Sequence, residues 1–292
     1  MLRIVQNHRP FSPLYMRETL MMADGLHQMV TFDGEAGKVQ AYLARPEDKD
    51  PRPAVIVIHE IFGLNDHIKD VANRFAAQGY VAFAPHLYSR AGLVEVLTPA
   101  NIEQAMQFQM ALARDRMSDM AYVRDEMAKL QAEKRETLQK VFPVYSNLPR
   151  EQFTQDLVKA VDFLNGQSFV QAGKVASVGF CFGGGMSINL ACHARLAACV
   201  VYYGQNPEPI EQVKNIACPV LGCYGADDMR INQNLDKLVK AMVDTKKDFE
   251  MKIYHGAAHA FFNNTRKEVY REGPAKDSWE RVLRFYKTCL SS

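Results

Sequence analysis

Val175-Ala-Ser-Val-Gly-Phe-Cys-Phe-Gly-Gly184 joins an apolar run to a glycine-rich turn with a cysteine in it, and the helical pattern Gly185–Ala191 follows. A residue at the tip of a tight strand-to-helix turn has strained backbone, and side chains two positions away on either side would collide with the turn. Gly179 and Gly183 avoid that collision. The following helix would direct its first N–H groups at the sulfur of Cys181. The pattern predicts a nucleophilic cysteine; the alternative is a buried structural cysteine.

Apolar runs recur along the rest of the chain and alternate with helical patterns. The run that starts at Pro53 and ends at His59 is typical of a strand buried on both faces of a parallel sheet. We predict further strands at 37–44, 80–84, 175–179, 197–203, 219–224 and 249–254, and helices near 65–78, 232–244 and 274–289. This alternation predicts an α/β fold with a mostly parallel sheet flanked by helices. The first thirty or so residues look irregular, and we expect only a peripheral arm there.

The segment from about residue 92 to 148 departs from this alternation. Thr98 followed by Pro99 is a typical helix start, and no glycine or proline occurs from there to about Val141. We therefore expect one domain over residues 1–292 with a helical insertion at about 92–148. Apolar residues recur there at helical spacing: Met106, Met110, Met117, Met120, Met127 and Leu130. This stripe could pack on the domain, contact another subunit of a homo-oligomer, or form a lid over a pocket.

Composition and charge exclude several classes of protein. Of 292 residues, 48% are hydrophobic and 23% charged, with a net charge of +2. This charge gives no reason to expect nucleic acid or a membrane surface as partner. No apolar stretch reaches the roughly 18 residues of a membrane helix. The first eight residues become polar too soon for a secretory signal, so we expect a cytoplasmic protein.

The six cysteines and eight histidines do not have the spacing of a metal site. No C-x-x-C pair occurs, and no His/Cys cluster matches zinc ligands. In a reducing cytoplasm we expect core-packing thiols, no metal and no cofactor. Cys181 alone has a context that favours reactivity.

A nucleophilic cysteine needs a base and an orienting acid, which for this strand–turn–helix arrangement follow later in the chain. Asp227 and Asp228 both follow the predicted strand 219–224, where α/β sites are built, and we prefer Asp228 for its G-x-x-D spacing. After the next strand we prefer His259 over His255, because His259 lies within the loop and has small neighbours. His259 would pair with the thiolate while Asp228 fixes its tautomer.

Five stretches together resemble the dienelactone hydrolase family, the cysteine-nucleophile branch of the α/β-hydrolases. They are His59–Gly63, Ala84–Arg90, Gly179–Gly184, Gly225–Asp228 and His255–Phe262. The likeness covers roughly residues 30–90 and 150–290, and the helical insertion has no counterpart in the smaller members. It implies an α/β-hydrolase fold and the hydrolysis of an ester or lactone.

The resemblance also implies roles for individual residues. Glu60 would contact the thiol in the resting enzyme and swing away when substrate binds, which lets Cys181 ionise towards His259. The backbone N–H groups of Ile61 and Phe182 would form the oxyanion hole. Arg90 would bind a substrate carboxylate, although a lone arginine could equally be a surface salt-bridge partner.

The chain departs from the family pattern after the histidine. The family places an arginine four positions beyond it, where this chain has Asn263, with Arg266 three residues further on. This weakens the case for dienelactone itself as the substrate. We expect a hydrolase of a small-molecule ester or lactone that uses Cys181, His259 and Asp228. The alternatives are a catalytically silent fold that serves as a binding or scaffold protein, and a redox-sensing thiol protein.

Overall fold

A computed structural model describes residues 25–48, 50–113, 116 and 119–291. Eight strands form one sheet: β1 (Gly25–Gly34), β2 (Gly37–Pro46), β3 (Arg52–Ile58), β4 (Val81–Pro85), β5 (Val170–Phe180), β6 (Ala198–Tyr202), β7 (Val220–Gly225) and β8 (Phe249–Tyr254). The order across the sheet is β1-β2-β4-β3-β5-β6-β7-β8, and every pair from β4 to β8 is parallel. The predicted α/β class is confirmed.

Helices cover both faces of the sheet. They are α1 (Asp66–Ala77), α2 (Pro99–Ala111), α3 (Met120–Ala128), α4 (Ala132–Ser146), α5 (Arg150–Asn165), α6 (Phe182–His193), α7 (Met229–Asn232), α8 (Leu235–Asp244) and α9 (Glu272–Leu290), with a 3₁₀ helix at Ile210–Asn215. Buried residues of α1 and α9 line one face, while those of α2, α4, α5, α6 and α8 line the other. Residues 54–58 of β3 are buried on both faces, which explains their continuous apolar run.

Residues 25–34 correct the expectation of an irregular start. They form the edge strand β1, which pairs antiparallel with β2. Among residues 26–34 of this strand only Phe32 is buried, and Val30 is partly buried, because the edge strand presents few side chains to the core. This weak alternation is too poor a signal to predict a strand from the sequence. Hydrogen bonding to β2 is what makes these residues a strand. The remainder of the expected arm lies outside the described residues.

Three helices, α2 to α4, occupy the predicted insertion between β4 and α5. The helical pattern is interrupted because Asp119 caps a new helix, its carboxylate accepting from Ala121 N and Tyr122 N at 3.1 Å each. The rings of Phe108 and Phe142 lie 5.8 Å apart between α2 and α4. The insertion therefore folds back on itself and on the core instead of forming one long helix.

The methionine stripe divides between the core and the surface. Met106, Met127 and Leu130 pack against the core, whereas Met110 is 44% and Met120 75% exposed. Met117 lies outside the described residues. Among the described residues, no helix is both long enough and apolar enough to cross a bilayer.

Candidate active site

Cys181 lies between the end of β5 and the start of α6, with φ 56° and ψ −115°. A positive φ is costly for any residue other than glycine, so the surrounding structure holds this cysteine in place. A Cβ atom added to Gly179 would lie 1.8 Å from the carbonyl oxygen of Gly183, and one added to Gly183 would lie 2.3 Å from that of Ile58. Both glycines are therefore required by the close approach of backbone, as the sequence pattern indicates.

His259 and Asp228 meet at the carboxyl ends of β8 and β7. The imidazole Nδ1 lies 2.5 Å from Asp228 Oδ2. The Asp228 side chain is almost fully buried, while that of His259 is 25% exposed. No described side chain or backbone group offers the buried Nε2 atom a conventional hydrogen bond. Asp228 thus fixes one nitrogen of the ring and leaves the other for Cys181.

Cys181 and His259 shift each other's protonation. Burial raises the pKa of the Cys181 thiol, but the positive charge of His259 and its interaction with the sulfur outweigh burial, so the pKa of Cys181 falls below its ordinary value. Burial lowers the pKa of His259, yet the negative charge of Cys181 and the hydrogen bond to Asp228 raise it to about 10. Both shifts favour a thiolate–imidazolium pair. Such a pair is chemically able to supply a nucleophilic sulfur and a proton donor together.

The two alternatives from the sequence lie elsewhere. His255 and Asp227 are both exposed, and the carboxylate that contacts His259 belongs to Asp228. The backbone N–H of Asp227 donates to Ala257 O at 2.9 Å, which ties the two loops together. The geometry therefore brings Asp228, His259 and Cys181 together at one edge of the sheet.

Glu60 follows β3 and is almost completely buried. Its Oε2 atom accepts a hydrogen bond from Asn263 Nδ2 at 2.7 Å, and Asn263 Oδ1 accepts from the hydroxyl of Thr265 at 2.7 Å. Burial raises the pKa of Glu60, although the hydrogen bond from Asn263 and the charges of His259 and Arg266 oppose that rise. The charge of Glu60 in turn raises the pKa of Cys181. In the sequence, Asn263 stood out only as a departure; here it anchors the carboxyl beside the thiol.

Arg90 has a partner that the sequence did not indicate. Its guanidinium forms an ion pair with Asp156 of α5, and both side chains are buried. Asp156 also accepts from the backbone N–H of Glu35 at 2.8 Å, which links α5 to the β1–β2 hairpin. A buried, paired guanidinium favours a structural role for Arg90 over direct contact with substrate.

Three further residues border the site. Tyr203 has a positive φ of 39°, and its ring lies 5.0 Å from that of His259. The Tyr88 hydroxyl donates to Ile61 O at 3.0 Å, beside the peptide proposed for the oxyanion hole. The Arg150 guanidinium lies 5.1 Å from the centre of the Phe182 ring. The sequence signal for the tyrosines was weak, because each follows a strand without any pattern of its own.

Phe182 is the first residue of α6, where helical N–H groups lack partners within the helix. The Cys181 carbonyl accepts from Gly184 N at 3.0 Å, so the helix begins directly behind the sulfur. These positions suit the oxyanion donors that the resemblance implies. Among the described residues, no group of three His, Cys, Asp or Glu side chains is placed to hold a metal ion.

The model of the dienelactone hydrolase family matches residues 39–290. The chain belongs to the dienelactone hydrolase family. It is accordingly a hydrolase of carboxylic esters or lactones, and the predicted resemblance is confirmed.

Relatives cover most of the chain. A protein of Saccharolobus solfataricus named "Putative carboxymethylenebutenolidase" is 38% identical over 262 residues, which cover 90% of this chain and 98% of that protein. One of the same name from Methylorubrum extorquens is 31% identical, covering 86% of this chain and 77% of that protein. The crystal structure of a "Putative Dienelactone Hydrolase" from Klebsiella pneumoniae is 26% identical with a TM-score of 0.66, covering 90% of this chain and 98% of the other.

Proposed function

We propose that the chain hydrolyses small carboxylic esters or lactones with Cys181 as nucleophile, His259 as acid and base, and Asp228 as the residue that orients His259. The observation that carries this proposal is the contact of Asp228 with His259 beside a strained cysteine whose pKa is lowered. In this state the sulfur needs no separate deprotonation step before it attacks.

The reaction proceeds in two halves. The thiolate attacks the carbonyl carbon, and the N–H groups of Ile61 and Phe182 stabilise the oxyanion that forms. When this intermediate collapses, His259 gives its Nε2 proton to the departing alkoxide, and a thioester on Cys181 remains. Neutral His259 then takes a proton from a water molecule while the oxygen of that water attacks the thioester. Expulsion of the acid restores the thiolate–imidazolium pair.

Glu60 tunes the resting state in this proposal. Its negative charge opposes ionisation of the neighbouring thiol, so its movement away from Cys181 would favour the thiolate. Asn263 holds the carboxyl in the resting position through the 2.7 Å hydrogen bond. Because this neutral amide stands where the family pattern has an arginine, we propose turnover of neutral small esters as well as acidic lactones. A cytoplasmic location and a homo-oligomer through the insertion stay predictions.

Hydrolysis of p-nitrophenyl acetate and of small lactones tests the proposal. Cys181→Ala should lose at least ~10³-fold in kcat, since the acyl transfer has no nucleophile. Cys192→Ala, in the buried face of the same helix, is the matched control and should stay active. A Cys181→Ala protein that folds and retains wild-type turnover would disprove the nucleophile.

A further inference from the structure

A cleft of about 450 Å³ lies between two segments that leave the same edge of the sheet as the proposed catalytic residues. One wall is the loop that leaves β6, and the other is formed by α7 and the start of α8. The volume lies within the range of small-molecule sites. The family's small lactones and the mechanism above do not require this space.

Along the chain, each wall of the cleft begins two residues after a residue of the candidate site. Its loop wall begins with Gln205, two residues after Tyr203, whose ring contacts His259. The Gln205 carbonyl oxygen lies 3.4 Å from where a Cβ of Gly185 would be. Its helical wall begins with Arg230, two residues after Asp228. The charge of Arg230 also lowers the pKa of Cys181, which places this guanidinium within electrostatic range of the sulfur.

Eight of the twelve residues that line the cleft are polar or charged, and the other four are apolar: Pro207, Pro209, Ile210 and Ile231. Four amide side chains line it: Gln205, Asn206, Gln233 and Asn234. The charged side chains are two acids and two bases: Glu208, Glu211, Arg230 and Lys237. None of the described lining residues is aromatic. An amide offers both a donor and an acceptor, as a hydroxyl does, so this lining matches an uncharged, hydroxyl-bearing group better than an anion or an aromatic ring.

Part of this lining is already held in place. Asn206 Nδ2 donates to Asn234 O at 2.7 Å, and Lys237 Nζ donates to Asn234 Oδ1 at 2.9 Å. By contrast, Arg230 forms no ion pair with any carboxylate among the described residues, although two acids line the same cleft. The Arg230 residue is also exposed, so its N–H donors are accessible to a ligand.

We propose that this cleft is a second part of the substrate site and binds a hydroxyl-bearing portion of the ester, such as a glycerol or sugar unit, with Gln205 and Arg230 as its recognition residues. The inference rests on the proposed function, since the cleft can be part of a substrate site only if an ester reacts at Cys181. It extends the substrate class from small lactones to esters that carry a polyol on either side of the scissile bond.

Two pairs of matched esters test the proposal. The alcohol side is probed with 2,3-dihydroxypropyl acetate against propyl acetate, and the acyl side with methyl 3,4-dihydroxybutanoate against methyl butanoate. Each kcat/KM is divided by the rate of alkaline hydrolysis to remove intrinsic reactivity. The wild type should prefer the dihydroxy ester at least tenfold in one pair, mainly through KM. Gln205→Leu and Arg230→Met should each reduce that ratio, and together bring it near one.

Arg284→Met is the matched control, because Arg284 is an exposed arginine that lines a cleft at the opposite end of the sheet. It should keep the wild-type ratio. No hydroxyl preference in either pair, or a preference that both cleft variants retain, overturns the proposal, as does a stronger preference for matched carboxylate-bearing esters. Failure of the wild type to hydrolyse any ester, or full activity of Cys181→Ala, would instead overturn the proposed function. Thermal melts of each variant show whether it folds.

Discussion

Asp228 contacts His259, and Asp156 contacts Arg90, in both cases through a carboxylate oxygen that is buried in the protein. The surroundings of the two pairs differ. His259 is a quarter exposed and faces a cysteine, whereas Arg90 and Asp156 are enclosed between α5 and the hairpin of β1 and β2. The imidazolium of His259 can release its proton, here with a pKa raised to about 10, but an arginine stays charged. Of these two pairs, the one with a cation that can titrate and a cysteine beside it is suited to the proton transfer that we propose, and the other is suited to holding the fold together.

The largest expected effect is a loss of activity when Asp228, the carboxylate of the first pair, is replaced. Asp228→Asn should lower kcat/KM by about 10²–10⁴-fold, because the amide no longer selects the His259 tautomer or stabilises the imidazolium. Asp227→Asn, at the exposed neighbouring position, is the control and should change kcat/KM little. Steady-state kinetics on p-nitrophenyl acetate measure both. A larger loss in Asp227→Asn would transfer the role to that carboxylate.

Breaking the second pair, Arg90 with Asp156, should lower the free energy of unfolding. Arg90→Met leaves the Asp156 carboxylate buried without its cation, which typically costs about 3–5 kcal/mol in the free energy of unfolding. Arg281→Met breaks the more exposed pair with Asp277 and should cost less than about 1 kcal/mol. Urea denaturation measures both. If Arg90 is structural, its loss changes KM for acidic and neutral esters alike; a rise in KM confined to acidic esters would return Arg90 to the substrate site.

The dependence of the acylation rate on pH tests whether His259, held by Asp228, forms an ion pair with Cys181. The thiolate is lost as the pH falls through the lowered pKa of Cys181, and the imidazolium is lost as the pH rises through about 10. We therefore expect the rate of acylation to form a plateau between these values and to fall on both sides. His259→Gln should move the acid limb to higher pH, since the thiol loses its cation, while His255→Gln should leave it in place. An unmoved limb in His259→Gln would contradict the ion pair.

The smallest effect is expected at Glu60. Glu60→Gln removes the negative charge that raises the pKa of Cys181, so the acid limb of alkylation by iodoacetamide should move to lower pH. The rate at a fixed pH on that limb should rise by less than about tenfold. Glu272→Gln, an exposed carboxylate at the start of α9, is the control. A limb that stays in place would show that Glu60 carries no charge beside the thiol and would contradict this prediction.

The elements that the sequence predicted well have strong local patterns. The strand runs at 53–59 and 219–224 appear as β3 and β7 within one or two residues. The helix α5 was not predicted, although Phe153, Leu157, Val161 and Leu164 are buried at helical spacing along it. The predicted helix near 232–244 appears as α8, which begins three residues later at Leu235. Asn232 instead ends the short helix α7, and its side chain donates to Gly225 O at 2.8 Å.

The sequence by itself determined the turn around Cys181, the order of the candidate acid and base, and the alternation of strands and helices. Each of these depends on residues within a few positions of one another or on the direction of parallel strands. Only the tertiary structure decided which buried carboxylate meets which partner: Asn263 is 203 residues from Glu60, and Asp156 is 66 residues from Arg90. These contacts form because burial makes an unpaired polar group costly, and the nearest partner in space is set by packing of the sheet and helices, not by spacing along the chain.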